Sequence, residues 1–144
     1  GRHRFQTGRA SMDPSLPVGA AQASGPSRTE RPWGWFETLA EGEGYLVKRL
    51  RLHAGRRISL QRHHHRCEQW VVVAGEGTIE CDDRLIPARA GACVFIPTGG
   101  VHRASAGSLD LEIIEVQRGD LLSESDIERF EDDYGRVLRS GVNL

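Results

Sequence analysis

Residues 55–75 read Gly55-Arg-Arg57-Ile-Ser59-Leu-Gln61-Arg-His63-His64-His65-Arg66-Cys67-Glu68-Gln-Trp70-Val-Val-Val-Ala-Gly75. In a strand, residues two apart share a face, so Gln61 and His63 point the same way, as would His63 and His65. Spacing separates these two pairs. Taking His63 and His65 leaves only two residues before Glu68, too few to turn the chain and face the same interior. Taking Gln61 and His63 leaves room for the turn. With His102 further along, the set offers imidazole, carboxylate and amide oxygen, which suits one divalent ion: zinc first, with manganese, cobalt, nickel or iron also compatible. His64 then reads as an outward side chain, and His65 as an exposed residue or one that orients a ligand.

Working outward, short runs with period-two alternation follow one another, punctuated by Gly, Pro and Asp. Strands are expected over 33–39, 45–53, 57–63, 69–74, 77–81, 93–96, 101–104 and 109–117, with Asp82-Asp83 as a hairpin tip. Many short strands in close succession predict an all-β antiparallel barrel or double-sheet jelly roll. Residues 1–30, rich in Gly, Ala, Ser, Pro and Arg, read as a disordered leader, and 31–144 as a single domain. Near the end, Ser125-Asp126-Ile127-Glu128 has the form of a capping box, and Ile127, Phe130 and Tyr134 fall on one helical stripe. A short helix ending at Gly135 is the expectation there.

Composition narrows the partners. The 144 residues carry a formal charge of −1, with both signs interspersed, so neither a nucleic-acid surface nor a membrane surface is expected. The apolar runs are too short to span a bilayer, and no secretory signal is visible. Cys67, Cys81 and Cys93 are odd in number and lack C-x-x-C spacing, which argues against a disulfide framework or zinc ribbon and fits a reducing cytoplasm.

The second half of the site is Gly91, then Pro97-Thr98-Gly99, then His102. Together with the first block it resembles the paired signature of the cupin superfamily, with Gln61 where many members carry histidine. Further stretches are similar to one branch, the type II mannose-6-phosphate isomerase (phosphomannose isomerase) domain: Arg31-Pro-Trp-Gly, Val47-Lys-Arg, Ile58-Ser-Leu-Gln, Glu68-Gln-Trp-Val-Val-Val, Ile114-Glu-Val-Gln-Arg-Gly-Asp and Asp126-Ile-Glu-Arg-Phe-Glu-Asp-Asp-Tyr-Gly-Arg. The likeness covers about residues 31–137. It implies a double-stranded β-helix, the cupin jelly-roll barrel, holding a metal on Gln61, His63, Glu68 and His102. It also implies interconversion of mannose 6-phosphate and fructose 6-phosphate through a cis-enediol(ate), feeding GDP-mannose and polysaccharide biosynthesis. Such domains usually form the carboxyl end of bifunctional enzymes. The residues present hold no nucleotidyltransferase domain, so guanylyl transfer is not expected of them. Ala106 replaces a frequent Asn, and Leu122-Ser123 a commoner Leu-Gly; neither is a ligand position.

Isomerisation needs a proton shuttle and a cationic anchor. Lys48, Glu112 and Arg103 are the candidate catalytic residues. Arg57 and Ser59 share the face of Gln61 by alternation and, with Arg66 in the connecting turn, are the candidate phosphate-binding residues. Lys48 and Arg103 could also serve as anchors. The competing reading is a metal cupin that binds a sugar or sugar phosphate without turning it over; a metal-free epimerase or an iron dioxygenase ranks behind both. A homodimer is the expected assembly, with Trp33, Trp35 and Phe36 as either contact residues or core.

Overall fold

The computed structural model describes residues 27–137. These form β1 (Arg28–Arg31), β2 (Gly34–Gly42), β3 (Tyr45–Leu52), β4 (Leu60–Arg62), β5 (Arg66–Ala74), β6 (Glu76–Cys81), β7 (Arg84–Arg89), β8 (Cys93–Ile96), β9 (His102–Ala106), β10 (Leu111–Gly119) and β11 (Glu128–Glu131), with no helix among the described residues. Two antiparallel sheets face each other. One has the order β1-β2-β3-β10-β5-β8, the other β11-β4-β9-β6-β7. This is the jelly-roll barrel expected from the alternation.

The inner faces of both sheets supply the core. Leu52, Trp70, Val72, Ile79, Ile96, Leu111 and Ile113 are essentially without solvent contact, each contributing about 1.5–3 kcal/mol relative to exposure. Trp33 and Phe36 join this core, while Trp35 is buried beneath the guanidinium groups of Arg28 and Arg49, at 4.0 and 5.2 Å from its ring. Tight turns set the register. Asp82 and Asp83 both have positive φ, 46° and 70°, as the two central residues of a type I′ hairpin require. Gly75, at φ 88°, carries the chain from β5 to β6, where a Cβ would sit 1.8 Å from the Asp110 carbonyl oxygen; no other residue fits that approach.

Three elements differ from the sequence reading. β1 begins at Arg28, so the barrel takes in the last residues of the stretch read as leader; the rest of that stretch lies outside the described residues. β7 holds Pro87, which weakens a strand pattern, but β7 is the edge of its sheet, where a missing backbone donor costs nothing. The expected helix over 125–135 is a turn followed by β11. Glu128 does not fold back on Ser125 as a capping box requires; its carboxylate accepts from Arg62 Nε at 2.9 Å. Ser123 caps the turn instead, its hydroxyl accepting from Ser125 N–H and its carbonyl from Asp126 N–H. Phe130 is exposed while Tyr134 packs on the core, so the apolar stripe is not a stripe. Pairing with β4 satisfies backbone groups that a short isolated helix would leave marginal.

Candidate metal centre

β4 and the start of β5 are joined by a turn that brings His63 and Glu68 onto one wall of the barrel, and β9 brings His102 beside them. The ligand-type atoms of His63, Glu68 and His102 all lie within 4.8 Å of one another, and all three residues are buried. His63 Nε2 is 3.2 Å from Glu68 Oε2, and His102 Nε2 is 3.9 Å from Glu68 Oε1. Gln61 is the register partner of His102 and lines the same cavity. Its amide nitrogen donates to the Ser59 hydroxyl at 2.8 Å.

The ring orientations are fixed from behind. His63 Nδ1 donates to the Asp126 carbonyl at 2.7 Å, and His102 Nδ1 to the Gly100 carbonyl at 2.9 Å. Those bonds place the proton on Nδ1 and leave the Nε2 lone pairs facing Glu68. His102 Nε2 is buried with no hydrogen-bond partner, an arrangement that a coordinated cation would satisfy. Burial, with Arg66 and His102 nearby, lowers the His63 pKa to about 4; burial also lowers that of His102. Both rings are therefore neutral at physiological pH, as metal ligation requires. The donor set fits a divalent ion of the zinc to manganese group.

Glu68 is held by Trp70 Nε1 at 2.8 Å and by Arg66 Nε at 2.9 Å. Arg66 also donates to His63 Nε2 at 3.3 Å. The cavity in front of these groups measures about 590 Å³ with its open mouth. Across it, Lys48 and Glu115 are register partners on β3 and β10, and both line the space. Lys48 pairs with Glu124 and lies 4.1 Å above the Phe36 ring. Glu115 is buried, accepts from Gln117 Nε2 at 2.6 Å, and its pKa is raised to about 7 by burial and by the charge of Glu68.

Of the residues singled out from sequence, Gln61, His63, Glu68, His102, Lys48, Ser59 and Arg66 come together around this cavity or its floor. Three do not. Arg57 turns outward and makes a two-point pair with Asp133, at 2.8 and 3.0 Å. Alternation fails there because Ile58 and Ser59 are both buried and β4 begins only at Leu60. Arg103 is buried on the far side of β9, donating to the Ile58 carbonyl and to Glu131. Glu112 lies on the outer face of β10, paired with Arg49 and Arg51. Glu115 is the carboxylate that alternation from Leu111 and Ile113 turns inward, and that pattern was readable in the sequence.

A family model described as Mannose-6-phosphate isomerase C-terminal matches residues 20–132. The alginate biosynthesis protein AlgA of Pseudomonas aeruginosa is 44% identical over 115 residues, covering 79% of this chain and 24% of AlgA. The xanthan biosynthesis protein XanB of Xanthomonas campestris is 38% identical over 137 residues, covering 94% of this chain and 29% of XanB. The chain thus spans about a quarter of the length of the curated relatives it matches. Among solved structures, KdgF from Halomonas superposes with a TM-score of 0.63 at 15% identity, over 69% of this chain and 89% of KdgF, a likeness of fold.

Proposed function

The chain belongs to the mannose-6-phosphate isomerase C-terminal family, and from that premise we propose that it is a metal-dependent isomerase interconverting mannose 6-phosphate and fructose 6-phosphate. The observation that carries the reading is the pairing, in one cavity, of the His63, Glu68 and His102 cluster with Glu115, a carboxyl group whose pKa lies near 7. The names of the relatives place them in alginate and xanthan biosynthesis, and we infer a role in supplying mannose units for polysaccharide.

His63, Glu68 and His102 would hold the ion, with the Gln61 amide oxygen beside them. Bound there, a divalent cation supplies positive charge to substrate oxygens as negative charge develops on them. Glu115 carries the proton work. In its ionised form it takes the proton from the carbon next to the carbonyl, giving a cis-enediol(ate), and returns it to the former carbonyl carbon, while the hydroxyl proton passes from the one oxygen to the other. A pKa near the working pH gives a large ionised fraction while keeping the acid form competent to donate. Lys48, opposite Glu115, offsets the charge of the ionised carboxylate and presents an ammonium to substrate hydroxyls. Trp70 and Arg66 keep Glu68 aimed at the ligand position, and the apolar wall of Trp33, Phe36 and Leu50 excludes water from the transfer.

No helix of the described residues is long and apolar enough to cross a membrane, and the free thiols of Cys67, Cys81 and Cys93 suit our placement of the reaction in the cytoplasm. For the homodimer we propose the outer face of β5 and β8, where Val71, Val73 and Phe95 are exposed.

Purified protein loaded with zinc or manganese should convert mannose 6-phosphate to fructose 6-phosphate in a coupled assay. Binding without conversion at every metal loading would instead identify a sugar-phosphate binding domain and overturn the isomerase reading.

A further inference from the structure

Of the 19 lysine and arginine residues in the chain, Lys48 alone is lysine, and it lines the cavity together with Arg31, Arg66, Arg129 and Arg136. Its side chain is only 7% exposed. The ammonium lies 4.1 Å from the Phe36 ring and donates to the Glu124 carboxylate, its one hydrogen-bond acceptor among the described residues. Glu124 itself is 59% exposed in its side chain and sits on the turn that joins β10 to β11. The backbone on either side of it is pinned. The Ser123 carbonyl accepts from Arg66 Nη1 at 3.1 Å, and the Asp126 carbonyl from His63 Nδ1 at 2.7 Å. Glu124 thus reaches the cavity from a held turn, with a carboxylate that solvent also reaches.

A buried ammonium without an acceptor is costly, so Lys48 must take a carboxylate, and two stand near it. Glu115 is its Cα partner across β3 and β10, which brings their Cβ atoms to about 4.5–5.5 Å. Yet Glu115 accepts from Gln117, while Lys48 donates to Glu124. Two carboxylates compete for one ammonium, and the exposed one holds it. Lysine suits this position better than arginine because it is a compact point charge on a flexible stem with three donors. One donor committed to Glu124 leaves others for hydroxyl groups. A direct pair with Lys48 would occupy the lone pairs of Glu115 and make it a poor base. Held off, Lys48 lets Glu115 keep Oε1, which takes no hydrogen bond among the described residues.

We propose that Glu124 is a positioning residue that holds the Lys48 ammonium at the mouth of the cavity, clear of Glu115, where a sugar hydroxyl can reach it. The benefit to catalysis rests on the isomerase reading; the hold on Lys48 does not. The single lysine makes that hold visible, because zinc-loaded full chain labelled with 13C at lysine Cε gives one methylene resonance. Glu124→Gln should displace this resonance, and Glu124→Asp should displace it less. Glu115→Gln should move it little in otherwise wild-type protein and strongly in the Glu124→Gln background, where the ammonium has turned to Glu115. In the coupled assay Glu124→Gln should lose at least tenfold in kcat/KM, with part recovered in Glu124→Asp. Adding Glu124→Gln to Lys48→Met should cost no more than a further twofold, since Glu124 acts through Lys48. If Lys48→Met does not fold, the resonance and the Glu124→Asp comparison decide. Equal displacement by Glu115→Gln in both backgrounds, or wild-type kcat/KM in Glu124→Gln, overturns the positioning role and leaves the isomerase reading intact. A further tenfold loss in the double variant overturns it as well and puts Glu124 on the substrate itself. The expected displacements in a protein whose wild type turns over no mannose 6-phosphate keep the hold on Lys48 and overturn the isomerase reading.

Discussion

Glu115 and Lys48 lie directly opposite each other on β10 and β3, and both are buried against the same cavity. Glu115→Gln keeps the shape and the hydrogen-bonding partner but removes the ionisable proton. Turnover should fall by about 10²–10⁴, with KM changing little, and the acid limb of the wild-type kcat profile should vanish in the variant. A variant with wild-type kcat and pH profile would remove Glu115 from the mechanism.

The same group makes a stability prediction for metal-stripped protein. Its folded pKa of about 7 lies above the ordinary carboxylate value, so the folded state binds the proton more tightly. The stabilisation is complete below the unfolded pKa and is lost as pH rises through about 7. The loss is of order 3 kcal/mol. Thermal melts of Glu115→Gln should therefore show its Tm gaining on wild type between pH 5 and pH 9; parallel curves would contradict the shift.

His63→Ala, Glu68→Ala and His102→Ala should each lose most bound metal on dialysis, measured by elemental analysis. Because burial holds His63 near 4, wild type should retain its metal well below pH 6, where an ordinary imidazole would already be protonated. Retention by all three variants would refute the ligand assignment.

Asp126 reaches the site through its backbone and its side chain at once. Its carbonyl accepts from His63, and its carboxylate accepts the N–H groups of His64 and His65 at 2.9 and 3.0 Å. Burial pushes the carboxyl pKa up, but those two donors win and hold it low. Its stabilisation is thus present above the ordinary carboxylate pKa and fades as pH falls through the depressed value. Asp126→Ala should cost about 1–3 kcal/mol and weaken metal affinity about 10–100-fold, read by denaturant titration and by competition with a chelator.

Arg57→Ala tests the negative side of the site. Its pair with Asp133 is half-exposed, worth about 0–1 kcal/mol once screened by solvent. Stability should barely move, and kcat/KM should stay within about twofold of wild type. A tenfold loss would return Arg57 to the cavity.

The barrel was legible because alternation survives burial: 45–53, 77–81, 93–96 and 109–117 each became a strand with nearly those limits. The cluster of His63, Glu68 and His102 was legible from spacing, since a turn of fixed length is needed to bring Glu68 back to His63. Alternation misled where the backbone is not a regular strand. Arg57 and Ser59 share parity, yet the irregular approach to β4 turns one out and the other in. It was also incompletely applied: Leu111 and Ile113 point inward, which assigns Glu115 and not Glu112 to the cavity. The helix reading failed for a different reason. The 125–135 stretch carries local helical signals, but β4 offers an unpaired edge, and backbone pairing with a distant strand is invisible in a local pattern.

β11 pairs in the ladder with β4 alone, through three register pairs, the fewest of any strand in its sheet, and its tie to a further strand is Arg103 of β9 reaching Glu131. It carries Arg129, and the residues leading into it carry Asp126, the support of His63. Fraying of this hem would therefore release an arginine from the cavity wall and free an imidazole ring in one event. Amide exchange in β11 should thus report on the competence of the whole site, ahead of any opening of the barrel itself.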